Sequence, residues 1–236
     1  MANTHSLNLE NGSSQYAQIT NANQVGLGLT GDFTIEAWVK LESTPGPTYE
    51  ICAKYSTSGL RAYRFFYTTT GGAQLRIAIS NDGTSTEEIG GIAQTLTNGV
   101  WYHVAVAWTA ATSTAEFFVN GSSIGSAVGA KTAIASTTAA FLVGQNGLGG
   151  NLYDGLIDEL RVWNDVRTDQ EITDNYDVEL VGNEANLQGC WRFNNDYTDI
   201  TANTNDLTAV NSPTFSADVA FVEASGFTPK HVSIVF

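Results

Sequence analysis

Charge, and positive charge above all, is scarce in this chain. Charged residues make up 14% of its 236 residues, against ~25% in an average globular protein. Ten lysines and arginines stand against 24 acidic residues, which gives a formal charge of −14. Nucleic acids and anionic membranes are bound by clustered basic residues, and here the basic residues are scattered along the chain. We therefore expect neither a nucleic-acid partner nor insertion into a membrane.

Cysteines and long apolar segments are also rare or missing. We expect Cys52 and Cys190 to be small buried thiols, and a disulfide between them is the open alternative. No apolar run approaches the ~18 residues that span a bilayer. Residues 1–5 have neither the basic nor the apolar region of a signal peptide, so no export signal is visible. A chain trimmed of its signal would read the same.

Aromatic and strand-forming residues are plentiful by contrast. The 5 Trp, 9 Tyr and 11 Phe exclude a disordered acidic chain. Residues 101–108 are apolar at odd and even positions alike, apart from His103, which predicts a central strand covered on both faces. Five further segments show the alternation of apolar and mixed positions, with a period of two, that is typical of strands: 33–40, 63–67, 75–79, 156–163 and 187–193.

Short-range signals place the turns and one helix. The strand 116–119 runs into Asn120-Gly121, a strong hairpin signal. Thr168 and Glu171 have the spacing of a capping box, which predicts one short helix ending near Tyr176. Many short strands between glycine-rich turns predict an all-β fold, an antiparallel β-sandwich or barrel. We expect the helix to plug one end of it.

The last residues differ in character from the rest. We expect one domain over residues 1–215 and a strand-like extension over 216–236, with further strands at 218–224 and 231–236. An apolar end such as Val232–Phe236 is normally buried. It packs either on its own domain or on a neighbouring subunit, so a homo-oligomer is one of the two alternatives.

Four stretches, in this order and spacing over residues 5–212, resemble a known family. They are Ser6–Gly12 with Tyr16–Ile19, Phe33–Val39 (FTIEAWV), Asn98–Val106 (NGVWYHVAV) followed by Phe118–Gly121, and Asp154–Trp163 (DGLIDELRVW). The set is similar to the laminin-G-like, pentraxin-like branch of the concanavalin A-like lectins and glucanases. The resemblance implies a jelly-roll sandwich of two antiparallel sheets. It does not imply a ligand, because folds of this kind carry many functions.

The sequence predicts no catalytic site. The glucanases of this superfamily need two carboxylates on one strand face, about 5 Å apart. Here Leu156 stands where the first glutamate of their pattern would lie, and Asp158 and Glu159 are adjacent, so on a regular strand they point to opposite faces. His103, inside an apolar strand, is interpreted as a hydrogen-bonded core residue. No Gly-x-Ser-x-Gly elbow, phosphate loop or zinc spacing occurs.

Calcium is the one cofactor that the residues suggest. Asp158 shares a strand row with Leu156, Leu160 and Val162. A carboxylate in an apolar row needs an arginine such as Arg192, a pair of backbone amides, or a calcium ion. The acidic loop after residue 193 resembles a late loop of the family and is expected to meet the opening hairpin, with Asx turns as the structural alternative. The candidate calcium ligands are Glu10, Asn11, Asp158, Asp196, Asp199 and Asp206.

A sugar site requires an aromatic platform and planar polar side chains. Trp38 and Trp101 fall at core positions of the family pattern and are assigned to packing. Arg64, Phe66 and Arg76 share the mixed faces of two neighbouring predicted strands and form the candidate ligand face. The candidates on the rim are Tyr55, Asn146 and Tyr153.

The sequence therefore predicts a non-catalytic recognition module that binds a glycan or a surface polymer. A second hypothesis is a structural protein of a phage virion, as a capsid decoration or tail protein, with or without a glycan ligand. That location suits a recognition fold without a visible export signal. A third hypothesis is an accessory module of a larger secreted enzyme. The corresponding partners are a glycan, a virion protein or a second copy, and the location is a virion surface or the cell exterior.

Overall fold

Two antiparallel β-sheets packed face to face make up the protein. The computed structural model describes residues 3–43 and 46–221. The strands are β1 (Ser6–Leu9), β2 (Tyr16–Ile19), β3 (Phe33–Leu41), β4 (Thr48–Tyr55), β5 (Arg61–Thr68), β6 (Gln74–Ile79), β7 (Glu87–Ala93), β8 (Trp101–Thr109), β9 (Thr114–Val119), β10 (Ser122–Val128), β11 (Phe141–Val143), β12 (Gly155–Trp163), β13 (Leu187–Trp191), β14 (Thr208–Val210) and β15 (Thr214–Ser216). One α-helix, α1 (Asp169–Asn175), and two short 3₁₀ turns, Asn11–Ser13 and Ala110–Thr112, complete the described elements.

The order of the strands defines a large and a small sheet. The large sheet has eight strands in the order β10-β9-β8-β3-β12-β1-β15, with β13 paired to the second half of β12. The small sheet has seven strands in the order β14-β2-β11-β4-β5-β6-β7. All of these pairings are antiparallel. The all-β jelly-roll sandwich predicted from the sequence is therefore confirmed.

The hydrophobic core lies between the two sheets. Phe33, Phe65 and Phe117 are fully buried there, and removing each such ring from water contributes about 2–3 kcal/mol. The apolar stretch 101–108 forms the central strand β8, between β3 and β9, as predicted. Cys52 and Cys190 are both buried and free, so the disulfide alternative does not form.

The tight turn between β9 and β10 is the predicted hairpin. Val119 pairs directly with Ser122, so Asn120 and Gly121 make up the whole loop. Both have positive φ, 49° and 74°. A two-residue hairpin loop needs this left-handed conformation twice, because it matches the twist of the strands, and Asn-Gly adopts it at low cost.

Helix α1 begins at the predicted capping box but lies elsewhere than expected. The Thr168 side chain accepts from the Glu171 N–H, and the Glu171 side chain accepts in return from the Thr168 N–H. Ile172 packs on Ala105, Ala107 and Phe118, which form an apolar strip on the outer face of the large sheet. The expectation that the helix plugs an end of the sandwich was wrong. Within the described residues no helix has the length and apolar character to cross a bilayer.

A β-bulge in β12 changes the predicted faces of that strand. Between the pairs Asp158–Trp38 and Arg161–Glu36, β12 has one residue more than β3, and Glu159 takes φ +47°. The alternation therefore shifts by one residue at the bulge. Asp158, Glu159 and Arg161 all lie on the outer side of the sheet. The single row predicted for Asp158 with Leu160 and Val162, and the opposite faces predicted for Asp158 and Glu159, were both wrong.

Residues 217–221 run back over the outer face of the large sheet. Asp218 pairs with Lys40 and accepts from the indole N–H of Trp101 at 2.8 Å. The Phe221 ring lies 5.9 Å from the ring of Trp38. Trp38 is thus covered by this segment on the outer face and is not part of the inter-sheet core. The strand predicted over 218–224 is absent from 218–221. The rest of the predicted extension, 222–236, lies outside the described residues.

Candidate functional site

The register of three strands brings the predicted ligand residues onto one face of the small sheet. Phe66 on β5 pairs with Arg76 on β6 and with Glu50 on β4, and Arg64 pairs with Ala53 on β4. Residues that pair across strands share a face. Arg64, Phe66 and Arg76 therefore lie together on the outer face, away from the core. Their role in binding stays a prediction.

A shallow, open depression lies on this face. Its volume is about 290 Å³, at the lower end of the range for small-ligand sites. Its wall combines two arginines with hydroxyl and amide groups, the donors and acceptors that match sugar hydroxyls. The lining residues are Thr48, Arg64, Phe66, Thr68, Thr70, Gly71, Arg76, Glu88 and Asn151.

Glu50 is the anchor beneath the depression, and it has no solvent exposure. Its carboxylate accepts from Nε and Nη2 of Arg64, at 3.0 and 2.9 Å, and from the Asn146 amide at 2.9 Å. This two-pronged contact fixes the plane of the guanidinium and joins β4 to β5 and to the loop around residue 146. Burial raises the pKa of Glu50 to about 6, a rise that the charge and hydrogen bond of Arg64 limit.

Phe66 does not present an open aromatic platform. The guanidinium carbon of Arg64 lies 4.1 Å above the centre of the Phe66 ring, and 2% of the residue is exposed. Tyr55 is likewise buried, with Arg61 and Arg64 at 5.5 and 5.7 Å from its ring centre. The aromatic rings thus support the arginines through cation–π contacts. The Phe66 ring is therefore covered by a guanidinium and does not form a bare aromatic surface.

Arg76 and Glu88 form the accessible part of the depression. Nη1 of Arg76 lies 3.1 Å from Oε2 of Glu88, and their side chains are 27% and 45% exposed. The stem of Arg76 passes over Gly90, where a Cβ would lie 2.5 Å from Cγ of the arginine. The glycine thus provides the space that the arginine occupies. The Arg76 guanidinium and the Glu88 carboxylate both face solvent, and the stem of Arg76 is packed against Gly90.

The rim candidates occupy other positions than expected. Tyr153 is in the core, and its hydroxyl donates to the Leu156 carbonyl at 3.2 Å. Burial raises its pKa well above the usual value. Asn146 is buried as the partner of Glu50. The rim positions predicted for Tyr55, Asn146 and Tyr153 were therefore wrong, although Tyr55 and Asn146 do support the depression from below.

Sequence reasoning missed Glu50 and Glu88, the two acidic partners of the arginines. Glu50 sits in an apolar strand segment, the same signal that drew attention to Asp158. Glu88 had no comparable signal in the sequence. It lies next to Ala78 and near Arg76 only because β7 pairs with β6, and the register of that pairing is set by the fold. Thr48, Thr68 and Thr70 were missed for the same reason.

The predicted calcium ligands do not converge. Asp199 accepts from the N–H groups of Cys190, Thr201 and Asn205, and Asp206 accepts from the N–H of Asp199. The Thr201 bond is an Asx turn, as the structural alternative anticipated, whereas the other three bonds join residues six to nine positions apart. In residues 3–43 and 46–221 no group of three or more His, Cys, Asp or Glu is placed to hold a metal ion.

The remaining candidates of the calcium set have separate partners. Asp196 accepts from the N–H of Thr198 at 3.0 Å. Glu10 and Asn11 belong to the opening hairpin, where the Asn11 N–H donates to Asp154 at 2.9 Å. Through the Asn11 N–H the hairpin therefore contacts the carboxylate of Asp154.

Asp158 is held by neutral donors. It accepts three hydrogen bonds: from the Asn3 side-chain amide at 2.8 Å, from the Glu159 N–H at 2.9 Å and from the Ala220 N–H at 3.3 Å. Backbone amides, one of the three kinds of partner considered from the sequence, donate to this carboxylate. Burial, together with the charge of Glu159, raises the pKa of Asp158 to about 7.

A second ionic cluster is sealed beneath α1 on the outer face of the large sheet. Glu36 accepts from Nε2 of His103 and from the Trp163 indole N–H, both at 2.9 Å, and lies 3.7 Å from Arg161. Burial pushes the pKa of Glu36 up, but the Arg161 charge and these hydrogen bonds outweigh it and hold the pKa at about 2. Arg161 also pairs with Glu159 at 3.2 Å. Every member is buried, and Arg161 donates to the carbonyls of Asn175 and Val178, so this cluster fastens the sheet to its cover.

One protein family matches the chain by sequence. A family profile of laminin G type, described as the concanavalin A-like lectin/glucanases superfamily, matches residues 11–173. No curated protein matches the chain by sequence.

Several solved structures share the fold. A putative carbohydrate binding protein from Bacteroides ovatus superposes with a TM-score of 0.67 at 19% identity, over 92% of this chain and 60% of that one. A heptameric SAP-like pentraxin from Limulus polyphemus gives 0.62 at 15%, over 90% and 94%. The CBM40 of the Ruminococcus gnavus IT-sialidase, bound to α2,6-sialyllactose, gives 0.54 at 14%, over 72% and 95%. The chain thus spans 60% of the length of the Bacteroides protein.

Proposed function

We propose that this chain, which belongs to the laminin-G-type family of the concanavalin A-like lectin/glucanases superfamily, is a non-catalytic module that binds carbohydrate. Its site is the depression on the outer face of the small sheet. Its setting is the exterior of a cell or of a particle, where glycans are displayed. Display on a virion and attachment to a larger enzyme stay predictions of the sequence.

The observation that carries the proposal is the depression itself. Buried Glu50 fixes Arg64 through a two-pronged contact, so the floor is rigid before any ligand arrives. Exposed Arg76 and Glu88 then offer a donor and an acceptor side by side. A preorganised polar surface suits sugar hydroxyls, since less ordering of side chains is needed on binding.

The state of the carboxylates supports a binding role over a catalytic one. A glycosidase needs two carboxyl groups that reach the sugar bond from either side. Asp158 and Glu159 are buried on β12, beneath the cover of the large sheet, and Glu50 is paired with Arg64. None of these three has the exposure that an acid, base or nucleophile in hydrolysis requires.

A glycan array with the full chain tests the proposal. We expect the wild-type protein to bind a defined set of immobilised glycans, and Arg76→Gln to lower that affinity at least about tenfold, a loss that corresponds to about 1.4 kcal/mol. Lys131→Gln is the matched control, because it removes one positive charge at a partly exposed site outside the depression. Equal melting temperatures of the variants establish that the fold is intact.

Two results would overturn the proposal. If folded wild-type protein binds no glycan on a broad array, the module does not recognise carbohydrate. If Arg76→Gln binds as tightly as Lys131→Gln, the sugar site lies elsewhere on the surface. Phe66→Ala is not used as a test, because the ring is buried under Arg64 and its loss would leave a cavity.

A further inference from the structure

We infer that the depression takes uncharged saccharides and rejects those that carry a carboxylate, with Arg76 and Glu88 receiving two neighbouring hydroxyl groups of one sugar. The inference names the ligand class of the proposed function and rests on it. Its basis is the balance of charges on the lining.

Each arginine of the depression already has a carboxylate partner. Arg64 is paired with Glu50 at 2.9 Å, and Arg76 with Glu88 at 3.1 Å. The other lining residues are threonines, a glycine, an asparagine and a phenylalanine, all uncharged. The depression therefore has no net positive charge to offer an anion, in a chain whose formal charge is −14.

An anionic sugar gains little from Arg64. The contact with Glu50 uses one N–H of Nε and one of Nη2, and only 9% of the Arg64 side chain is exposed, so little of the guanidinium is left for a ligand. A ligand carboxylate could claim the whole guanidinium only by displacing Glu50. Because Glu50 is fully buried, that exchange would leave an unpaired charge in the protein interior, which is strongly unfavourable.

An anionic sugar gains little from Arg76 as well. Arg76 is partly exposed, so a ligand carboxylate could approach it beside Glu88. The two carboxylates would then share one guanidinium, and their repulsion would offset the new contact. A pair of hydroxyl groups meets no such conflict, because one hydroxyl donates to Glu88 and the next accepts from Arg76.

The position of Arg76 makes this pairing specific. The side-chain stem lies over Gly90, where any larger residue would collide with it, while the guanidinium remains partly exposed beside Glu88. Donor and acceptor thus lie side by side, 3.1 Å apart. Two adjacent hydroxyls of a pyranose can bridge such a donor–acceptor pair, whereas a lone carboxylate meets the donor alone.

Matched pairs of oligosaccharides test the inference. The probes are oligomers of glucose, galactose and mannose and the oligomers of the corresponding uronic acids, titrated calorimetrically against the full chain. We expect a neutral oligomer to bind and its uronic counterpart to bind at least about tenfold more weakly. The affinity for the neutral oligomer should change less than about twofold between low and high salt, because no ion pair forms with the ligand.

The variant Glu88→Gln separates the two ligand classes. For an uncharged ligand it removes a strong acceptor and lowers affinity about fivefold or more. For an anionic ligand it would remove a competitor and raise affinity. Glu116→Gln is the control, since Glu116 lies on β9 of the other sheet and bonds to Ser123.

The outcomes distinguish this inference from the proposed function. Binding of neutral oligomers that weakens in Glu88→Gln supports both. Binding of uronic oligomers alone, or an affinity that rises in Glu88→Gln, overturns the inference and leaves the carbohydrate-binding function standing. Absence of binding to every oligosaccharide, and to a broad glycan array, overturns the function and with it the inference.

Discussion

The buried carboxyl of Asp158 makes stability depend on pH in a way that one substitution removes. Asp158 is fully buried, and it lies beside Glu159 on the bulge of β12. Asn3 and Ala220, from opposite ends of the described chain, both donate to its Oδ2. Asp158→Asn keeps the size of the side chain and an acceptor for these donors, but it cannot ionise.

The sign of the effect follows from the two pKa values. Burial and the charge of Glu159 raise the pKa of Asp158 from 3.8 to about 7 in the folded protein. Between these pH values the unfolded carboxyl has released its proton and the folded one has kept it, so stability falls as the pH rises. At about 1.4 kcal/mol for each pH unit, the full loss is about 4 kcal/mol, complete above pH 7.

Urea unfolding at a series of pH values measures this effect. We expect the free energy of unfolding of Asp158→Asn to gain about 3 kcal/mol over the wild type between pH 4.5 and pH 8. Glu50 and Glu36 titrate in both proteins and cancel in the difference. Asp196→Asn makes the same chemical change at an exposed carboxylate and is the matched control. A flat difference between Asp158→Asn and the wild type would mean that three N–H donors keep the carboxylate ionised, and would refute the reasoning.

Three further predictions concern the cover of the large sheet, the hairpin and calcium. Glu36→Gln should cost about 3 kcal/mol in urea unfolding, because it leaves Arg161 and His103 buried without their shared carboxylate; a loss below 1 kcal/mol would contradict this. Gly121→Ala should cost about 2 kcal/mol, since φ is 74° and the new Cβ would lie 2.5 Å from the Tyr176 ring, and a neutral result in the same assay would refute the strain. EDTA tests the calcium prediction: a decrease in melting temperature that calcium reverses would support it, and an unchanged melting temperature would count against it, as expected if the described residues hold no group of three or more acidic, His or Cys ligands.

The local elements of this fold could be predicted from short stretches of sequence. The Asn120-Gly121 loop and the capping box of Thr168 and Glu171 both form as expected. Each depends on contacts within about four residues, so the residues that decide the structure are adjacent in the chain. The alternation in 33–40 and 75–79 was likewise sufficient to predict β3 and β6.

The bulge at Glu159 could not be predicted in this way. A bulge cannot be recognised from the composition of a strand or from its alternation of apolar residues. It is defined by comparison with the partner strand, which has one residue fewer at that place. Because of the inserted residue, Asp158, Glu159 and Arg161 all lie on one side of the sheet. The pairing of β12 with β3 sets the face on which Asp158 lies, and residues 3 and 220 contact it there.

The candidate site divides in the same way. Alternation along 63–67 and 75–79 was enough to place Arg64, Phe66 and Arg76 on the polar faces of two strands. Which of these groups meets solvent was a matter of packing: Arg64 covers Phe66, and Glu50 holds Arg64. A sequence pattern predicts that a side chain leaves the core, but not what then lies over it.

The sequence by itself determined the fold class, several of the strands, the hairpin and the helix start, because these follow from local propensity and from the period of apolar residues. The family was indicated by the resemblance of four ordered motifs. The tertiary structure alone decided that Tyr153 is buried, that α1 covers a sheet face, and that Glu50 and Glu88 neutralise the two arginines of the depression. The physical reason is distance along the chain. Such contacts join residues far apart in sequence, and their energies depend on burial and geometry that exist only once both sheets have formed.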